Sequence, residues 1–286
     1  PMYGTYDPTF LLAIFYPILF GMIVGDIGYG LIYLLGVIWL RRKFKDNAGV
    51  QMATGILGPA ATLAIAFGFL YGEFFGNLLH AYIIPIQIGP ITLPFNRIEG
   101  MQQFLVIAIA VGFIQVVLGL AVGIANGIRT KHWSHVWEKG GILAFLLGLV
   151  VIIVAVLLVQ SNLWVQLVGG ALLLAGLVAA FRGGKLIGII ESIGALTNVA
   201  SYARVMAVGL AGAIFADAAN SMIAILGPFF GILLAIPLQL LNLVIAAFSP
   251  NIHAVRLNFL EFFGKFYETG SEAYSPFQKT GGEKGA

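Results

Sequence analysis

The sequence predicts an all-α fold: a polytopic membrane helical bundle of about eight transmembrane helices, the last two long and tilted. Three observations carry this. Hydrophobic residue types make up 60% of the 286 residues and charged types only 9%, with a mean hydropathy of +0.98. A soluble domain carries about 25% charged and about 45–50% apolar residues, so one aqueous core could not hide this much apolar surface. Apolar stretches close to the roughly 20 residues of a spanning helix recur along the chain, and the basic residues sort onto alternate connections between them.

The same composition excludes other classes. Cysteine is absent, which removes disulfide frameworks, thiolate nucleophiles and Cys-based metal sites. The net charge is only +3 and its basic residues are scattered, so nucleic-acid binding has no footprint. No basic segment with a small-residue cleavage site opens the chain. It begins at Pro1, in the turn-like stretch Tyr3-Gly4-Thr5-Tyr6-Asp7-Pro8, and reads as a fragment whose N-terminal part has been removed.

Punctuation by Gly, Pro and polar clusters sets the segments, in order, at roughly 9–25, 27–40, 51–79, 102–127, 140–160, 163–181, 186–219 and 227–268. The first two are separated by Gly25-Asp26-Ile27-Gly28-Tyr29-Gly30, dense enough in glycine to break a helix. Pro85, Pro90 and Pro94 mark a long loop, and Gln160-Ser161-Asn162 a tight turn. With alternating sides, one face receives the basic residues of 41–45, 129–139 and 182–185 together with Lys265, Lys279 and Lys284, and the other only Arg97. By the positive-inside rule both termini are cytoplasmic, the 80–100 loop faces out, and the protein lies in the cell membrane as a multi-pass chain.

Segments seven and eight hold about 34 and 42 residues, or about 50 and 60 Å of helix. The hydrocarbon core is about 30 Å thick, so they must tilt, kink or project into water. Pro237 and Ser249-Pro250 are the expected kink sites. Gly68, Gly72 and Gly76, and again Gly119, Gly123 and Gly127, read as small-residue rows that let helices approach closely.

Two arginines fall inside segments rather than at their ends: Arg204 and Arg256. An arginine at a helix centre costs about 2.5–3.5 kcal/mol on insertion scales, and it stays protonated, so each is paired, hydrated or functional. Helix neighbours lie three, four and seven residues apart. Glu191, Asn198 and Ser201 therefore form a polar stripe toward the cytoplasm that ends beside Arg204. On the other side Ala207, Val208, Ala211 and Gly212 leave a small apolar face. A fixed cation on so smooth a face suits a carboxylate that slides past better than a held substrate. Glu73, Asp217, Gln239 and Asn242 fall toward the outer side, so the two polar regions resemble half-channels that do not join. Asp26 and Glu73, in glycine-rich settings, are the acidic residues expected to be structural; Glu261 is another acidic residue inside a segment. His253 shares a face with Arg256. The dispersed His80, His132, His135 and His253 show no metal-binding spacing, and Walker, nucleophile-elbow and kinase motifs are missing. No catalytic residue, metal or cofactor is expected. Trp133 and Trp137 fit an interfacial aromatic belt.

Thr197-Asn198-Val199-Ala200-Ser201-Tyr202-Ala203-Arg204-Val205-Met206-Ala207 closely resembles the signature of the large membrane stator subunit of V-type and A-type ATPases, called subunit a, or subunit I in prokaryotes. Tyr3-Gly4-Thr5-Tyr6-Asp7-Pro8-Thr9, the stretch from Phe20-Gly21 to Gly30, and Phe248-Ser249-Pro250-Asn251-Ile252-His253-Ala254-Val255-Arg256-Leu257 are similar to that subunit's C-terminal half. The resemblance runs from end to end. It implies a C-terminal membrane domain over 1–286, with a six-helix scaffold at 1–185, two ion-path helices at 186–268 and a cytoplasmic tail at 269–286. It also implies partners: the lipid bilayer, a rotating ring of proteolipid subunits that each carry a membrane carboxylate, and other stator and stalk subunits reached through the absent N-terminal domain. In the family the arginine at position 204 displaces the ion, proton or sodium, from the ring carboxylate and the one at 256 assists. This chain departs from the eukaryotic pattern at Gly212, where that pattern has histidine, at Ala246, where it has glutamate, and at Glu191, offset by one residue. A secondary ion-coupled transporter with a midplane site is the alternative. A transport-free scaffold is a third reading, but it leaves Arg204 and its stripe without a role.

Overall fold

The computed structural model describes residues 5–78, 86–88, 91–157 and 163–267. The expected 160–162 turn, His80, Pro85, Pro90, Lys279, Lys284 and the 269–286 tail lie outside them. The described residues form an all-helical bundle with one short hairpin in the Pro-containing loop, Ile86–Ile88 paired antiparallel with Ile91–Leu93.

α1 (Thr9–Val24) ends at Gly25, whose N–H closes on Gly21 O. The Asp26 carboxylate then caps α2 (Ile27–Lys43) by accepting the Tyr29 N–H, which satisfies one of the donors a helix start leaves open. Asn47 caps α3 (Ala48–Tyr71) in the same way. The α3 segment is shorter than expected because Gly72 takes left-handed angles (φ 68°) and stops it. Gly76 is also left-handed, so Gly68, Gly72 and Gly76 do not form one helical row. A Cβ on Gly68 would lie 2.4 Å from Ile27 N, whereas Gly76 meets a different neighbour, Ala216. By contrast Gly119, Gly123 and Gly127 all face packed neighbours from α4 (Met101–Arg129).

Glycine contacts fix the directions. Gly21 and Gly25 meet Leu63 and Tyr71 in register, so α1 runs parallel to α3. Ile27, Gly30 and Val37 meet Gly68, Ile65 and Gly58, so α2 runs antiparallel to it. The start of α4 meets the end of α3 through Phe104 and Tyr71, and its end holds the chain start, Asn126 Oδ1 accepting the Tyr6 N–H. α5 (Trp133–Leu157) and α6 (Leu163–Ala200) pack backbone to backbone along Gly141, Gly148, Gly169 and Gly176.

Two reversals lie inside helices. α6 leaves helical angles at Lys185 (φ 54°, ψ −134°), and a Cβ on Gly188 would lie 2.2 Å from Ala180 O. A straight helix would put eight residues about 12 Å apart, so the chain doubles back. α7 (Ala203–Arg256) does the same at Gly227 (φ 78°, ψ 170°), with Gly231 against Ile223. The two arms of α7 are joined by Asn242 Nδ2 donating to Gly212 O (3.1 Å) and Gln239 Nε2 donating to Ala216 O (3.2 Å) and Asn220 Oδ1 (2.8 Å). Seven α-helices are thus described where about eight segments were expected. The breaks expected near 182–185 and 220–226 fall inside α6 and α7. Helical angles persist through Pro237 and Pro250, and the departure from them falls at Gly227. A glycine reaches positive φ without a Cβ clash. After Arg256 the helix widens into a π-turn, Leu257–Phe262, then a 3-10 turn, Phe263–Lys265.

With these directions the basic residues of 41–43, 129–139 and 182–185 and Lys265 share one end of the bundle. The outside is apolar, with large side chains such as Leu35, Val106, Ile190, Phe229 and Phe248 exposed. Among the described residues four stretches, Ala48–Tyr71, Met101–Arg129, Trp133–Val156 and the folded-back run Leu163–Lys265, are long and apolar enough to cross a membrane. The chain is a membrane-type helical bundle.

Candidate ion-path site

Arg204 stands at the junction of α6 and α7. Hydrogen bonds there tighten to the i→i+3 pattern, from Tyr202 N to Val199 O and from Arg204 N to Ser201 O, a local narrowing often found at hinges. Tyr202 anchors the junction. Its ring fills the space over Gly112, and its hydroxyl donates to Gln115 Oε1 (2.9 Å). Gln115 Nε2 donates in turn to Asn258 Oδ1 (2.9 Å). All three are buried, so α4 ties the start of α7 to the π-turn beyond its end. The Arg204 side chain is 24% exposed. Its Nη1 lies 3.7 Å from Glu261 Oε1, too long for a hydrogen bond. Neither Arg204 Nη1 nor Glu261 Oε2 has a hydrogen-bond partner, and His253 Nδ1 has none either. Arg256 is exposed. The face beyond Arg204 is small, and a Cβ on Gly212 would meet open space.

At the basic end the predicted stripe gains partners from other elements. Lys139 Nζ donates to Glu191 Oε2 (2.8 Å) and lies 3.9 Å from Glu138 Oε1. With its amide turned to satisfy both sides, Asn198 accepts from Lys265 Nζ (2.8 Å) and donates to Gly194 O (3.2 Å). Ser201 Oγ donates to Thr197 O. Glu138, Lys139 and Lys265 were not among the predicted site residues. They lie on α5 and on the last described turn, where helical periodicity in α6 carries no signal of them.

At the opposite end Arg97, in the loop read as facing out, is 1% exposed. Its Nε donates to Glu73 Oε1 (2.8 Å) and its Nη2 pairs closely with Glu73 Oε2. Nη1 donates to Ile23 O (3.0 Å) and Nη2 to Val24 O (3.3 Å), and the guanidinium lies 4.7 Å from the centre of the Tyr71 ring. Asp26 holds the Phe75 and Gly76 N–H groups besides its capping bond, a structural role. Asn242 Nδ2 donates to the Tyr29 hydroxyl (2.9 Å), which itself bonds Gln239 Oε1. Asp217 Oδ1 is buried without a partner and borders a cavity of about 440 Å³ shared with Glu73, Glu99, Asn77 and Asn96. A second cavity of about 380 Å³ holds Asp26, Tyr29, Glu73, Arg97 and Asn242 and reaches Ala207 and Val208, one turn from Arg204. Glu73 borders both.

Fold and site together define a class: a multi-pass helical membrane protein with one buried, tightly paired arginine and one partly exposed, loosely paired arginine, set among polar groups. No family model matches the chain. It is similar to A-type ATP synthase subunit I of Archaeoglobus fulgidus (29% identity, 97% of this chain, 50% of that protein) and of Pyrococcus horikoshii (30%, 97% and 44%). It is also similar to V-type ATP synthase subunit I of Borreliella burgdorferi (26%, 98% and 50%). Along nearly its whole length the chain is a relative of the subunit I proteins, as its motifs suggested. It spans about half the length of these relatives.

Proposed function

We propose that this chain is the ion-conducting membrane part of the stator of a rotary A/V-type ATPase. Arg204 meets a carboxylate on each passing subunit of a proteolipid ring and favours its ionised form, because a nearby cation stabilises the charge. The released proton or sodium ion leaves by one half-channel, and the next enters by the other. Glu191, Asn198 and Ser201, with Glu138, Lys139 and Lys265 beside them, line the basic, cytoplasmic half. Asp217, Gln239, Asn242 and Glu73 line the opposite half, and Arg256 and His253 flank the crossing. The fixed cation also blocks direct leakage between the halves, so passage requires rotation, and the torque goes to a separate catalytic head.

On this reading the chain crosses the membrane eight times, with the reversals at Lys185 and Gly227 as turns between spans and both termini on the basic side. On this reading 1–185 is the scaffold, and the tilted spans beyond it face the ring. Contacts with other stator and stalk subunits fall to the half of the relatives' length that this chain does not span. The names of the relatives favour this reading over a secondary transporter.

The observation that carries the proposal is the state of Arg204: partly exposed, loosely paired, beside a smooth face and between the polar groups of both ends. Arg204→Ala in the complete complex tests it. The expected result is loss of ATP-driven ion pumping in an assembled complex; wild-type pumping refutes the reading.

A further inference from the structure

We propose that Glu261 is the resting counter-ion of Arg204, holding the guanidinium between successive encounters with ring carboxylates; this rests on the rotary reading above. A permanent cation in an apolar bundle is stabilised by a nearby anion. A passing carboxylate supplies one only during its visit. Glu261 is the acidic group whose oxygen lies within ion-pair distance of Arg204 among the described residues.

The geometry suits exchange rather than permanent pairing. The two groups sit 3.7 Å apart with no hydrogen bond between them, and each keeps an unsatisfied buried atom, Arg204 Nη1 and Glu261 Oε2. Elsewhere this chain builds a closed pair: Glu73 and Arg97 make two direct hydrogen bonds. The looseness at Arg204 is also held in place. Tyr202, two residues before Arg204, and Asn258, three residues before Glu261, are bound to the same Gln115. This bridge fixes the two backbones and leaves the side chains to close or open the gap. The π-turn Leu257–Phe262 contributes as well. Its wider i→i+5 turn shifts the residues beyond Arg256 out of α-helical phase, and Glu261 is turned inward, with a side chain only 5% exposed, while Arg204 reaches the surface at 24%. The anion therefore stays inside, and the cation alone reaches a partner outside. Glu261 acts as a positioning residue; it does not touch the ion or the ring.

The test compares Glu261→Gln and Glu261→Asp in the complete complex, with assembly and ATP-driven pumping as readouts and Arg204→Ala alongside. Glutamine keeps the size and loses the charge; aspartate keeps the charge and loses a methylene. A counter-ion role predicts an assembled E261Q complex that pumps about tenfold slower, and an E261D complex that pumps faster than E261Q. A packing role predicts the reverse order. E261Q pumping at or above the E261D rate overturns the proposal, and so does an E261Q chain that fails to assemble, since an exchangeable pair cannot be a condition of folding. Normal pumping by E261Q with a silent Arg204→Ala rejects this inference alone. Normal pumping by Arg204→Ala rejects the rotary reading itself.

Discussion

Arg97 and Arg204 are the same side chain in opposite circumstances. Arg97 is sealed in, with four hydrogen bonds to Glu73 and to the carbonyls of Ile23 and Val24 and an aromatic ring over its face. Arg204 faces one carboxylate across a gap and keeps an unsatisfied nitrogen. A fully satisfied buried cation is a fixed part of the structure, because every alternative partner would cost it several bonds. An incompletely satisfied one can change partners cheaply. On the proposed reading, the contrast puts stability at Arg97 and exchange at Arg204.

The largest expected effect breaks the sealed pair. Glu73→Ala leaves Arg97 buried without its counter-charge and should destabilise the fold by about 3–5 kcal/mol, seen as a fall in the thermal midpoint of the protein purified in detergent. A loss no larger than for a surface substitution would erase the contrast. A smaller effect is expected where two backbones touch. A Cβ at Gly141 would lie 2.2 Å from Ala180 N, so Gly141→Ala should cost about 1–3 kcal/mol by overpacking, measured in the same way. Smaller again, Tyr202→Phe removes the hydroxyl from Gln115 Oε1 and should cost about 1–2 kcal/mol in the same melts. It should also slow pumping, because the bridge that spaces Arg204 from Glu261 is cut.

Much of this contrast was legible in the sequence, and the illegible part has a common cause. Composition revealed the membrane bundle, the break at Gly25-Asp26 revealed the first helix pair, and helical spacing placed Glu191, Asn198 and Ser201 in line with Arg204. Asp26 was recognisable as structural from its glycine-rich setting. What escaped were partners on other elements. Arg97 lies in a loop without periodicity, so nothing local signals that it reaches Glu73. Lys139 with Glu191, Lys265 with Asn198 and Glu261 with Arg204 all pair across elements distant in the chain. The breaks read near 182–185 and 220–226 coincide with the reversals at Lys185 and Gly227, but the backbone angles that turn the chain there carry no local signal. Helical angles persist through Pro237 and Pro250, as membrane helices tolerate proline when neighbours satisfy the freed carbonyl.

The most direct test sets the two arginines against each other in one complex. Arg204→Ala should abolish ATP-driven pumping while lowering stability by less than about 1 kcal/mol, as expected for a loose, partly exposed pair; the Glu261 left behind can take up a proton. Pumping that persists in Arg204→Ala, or a stability loss as deep as that of Glu73→Ala, would contradict the account.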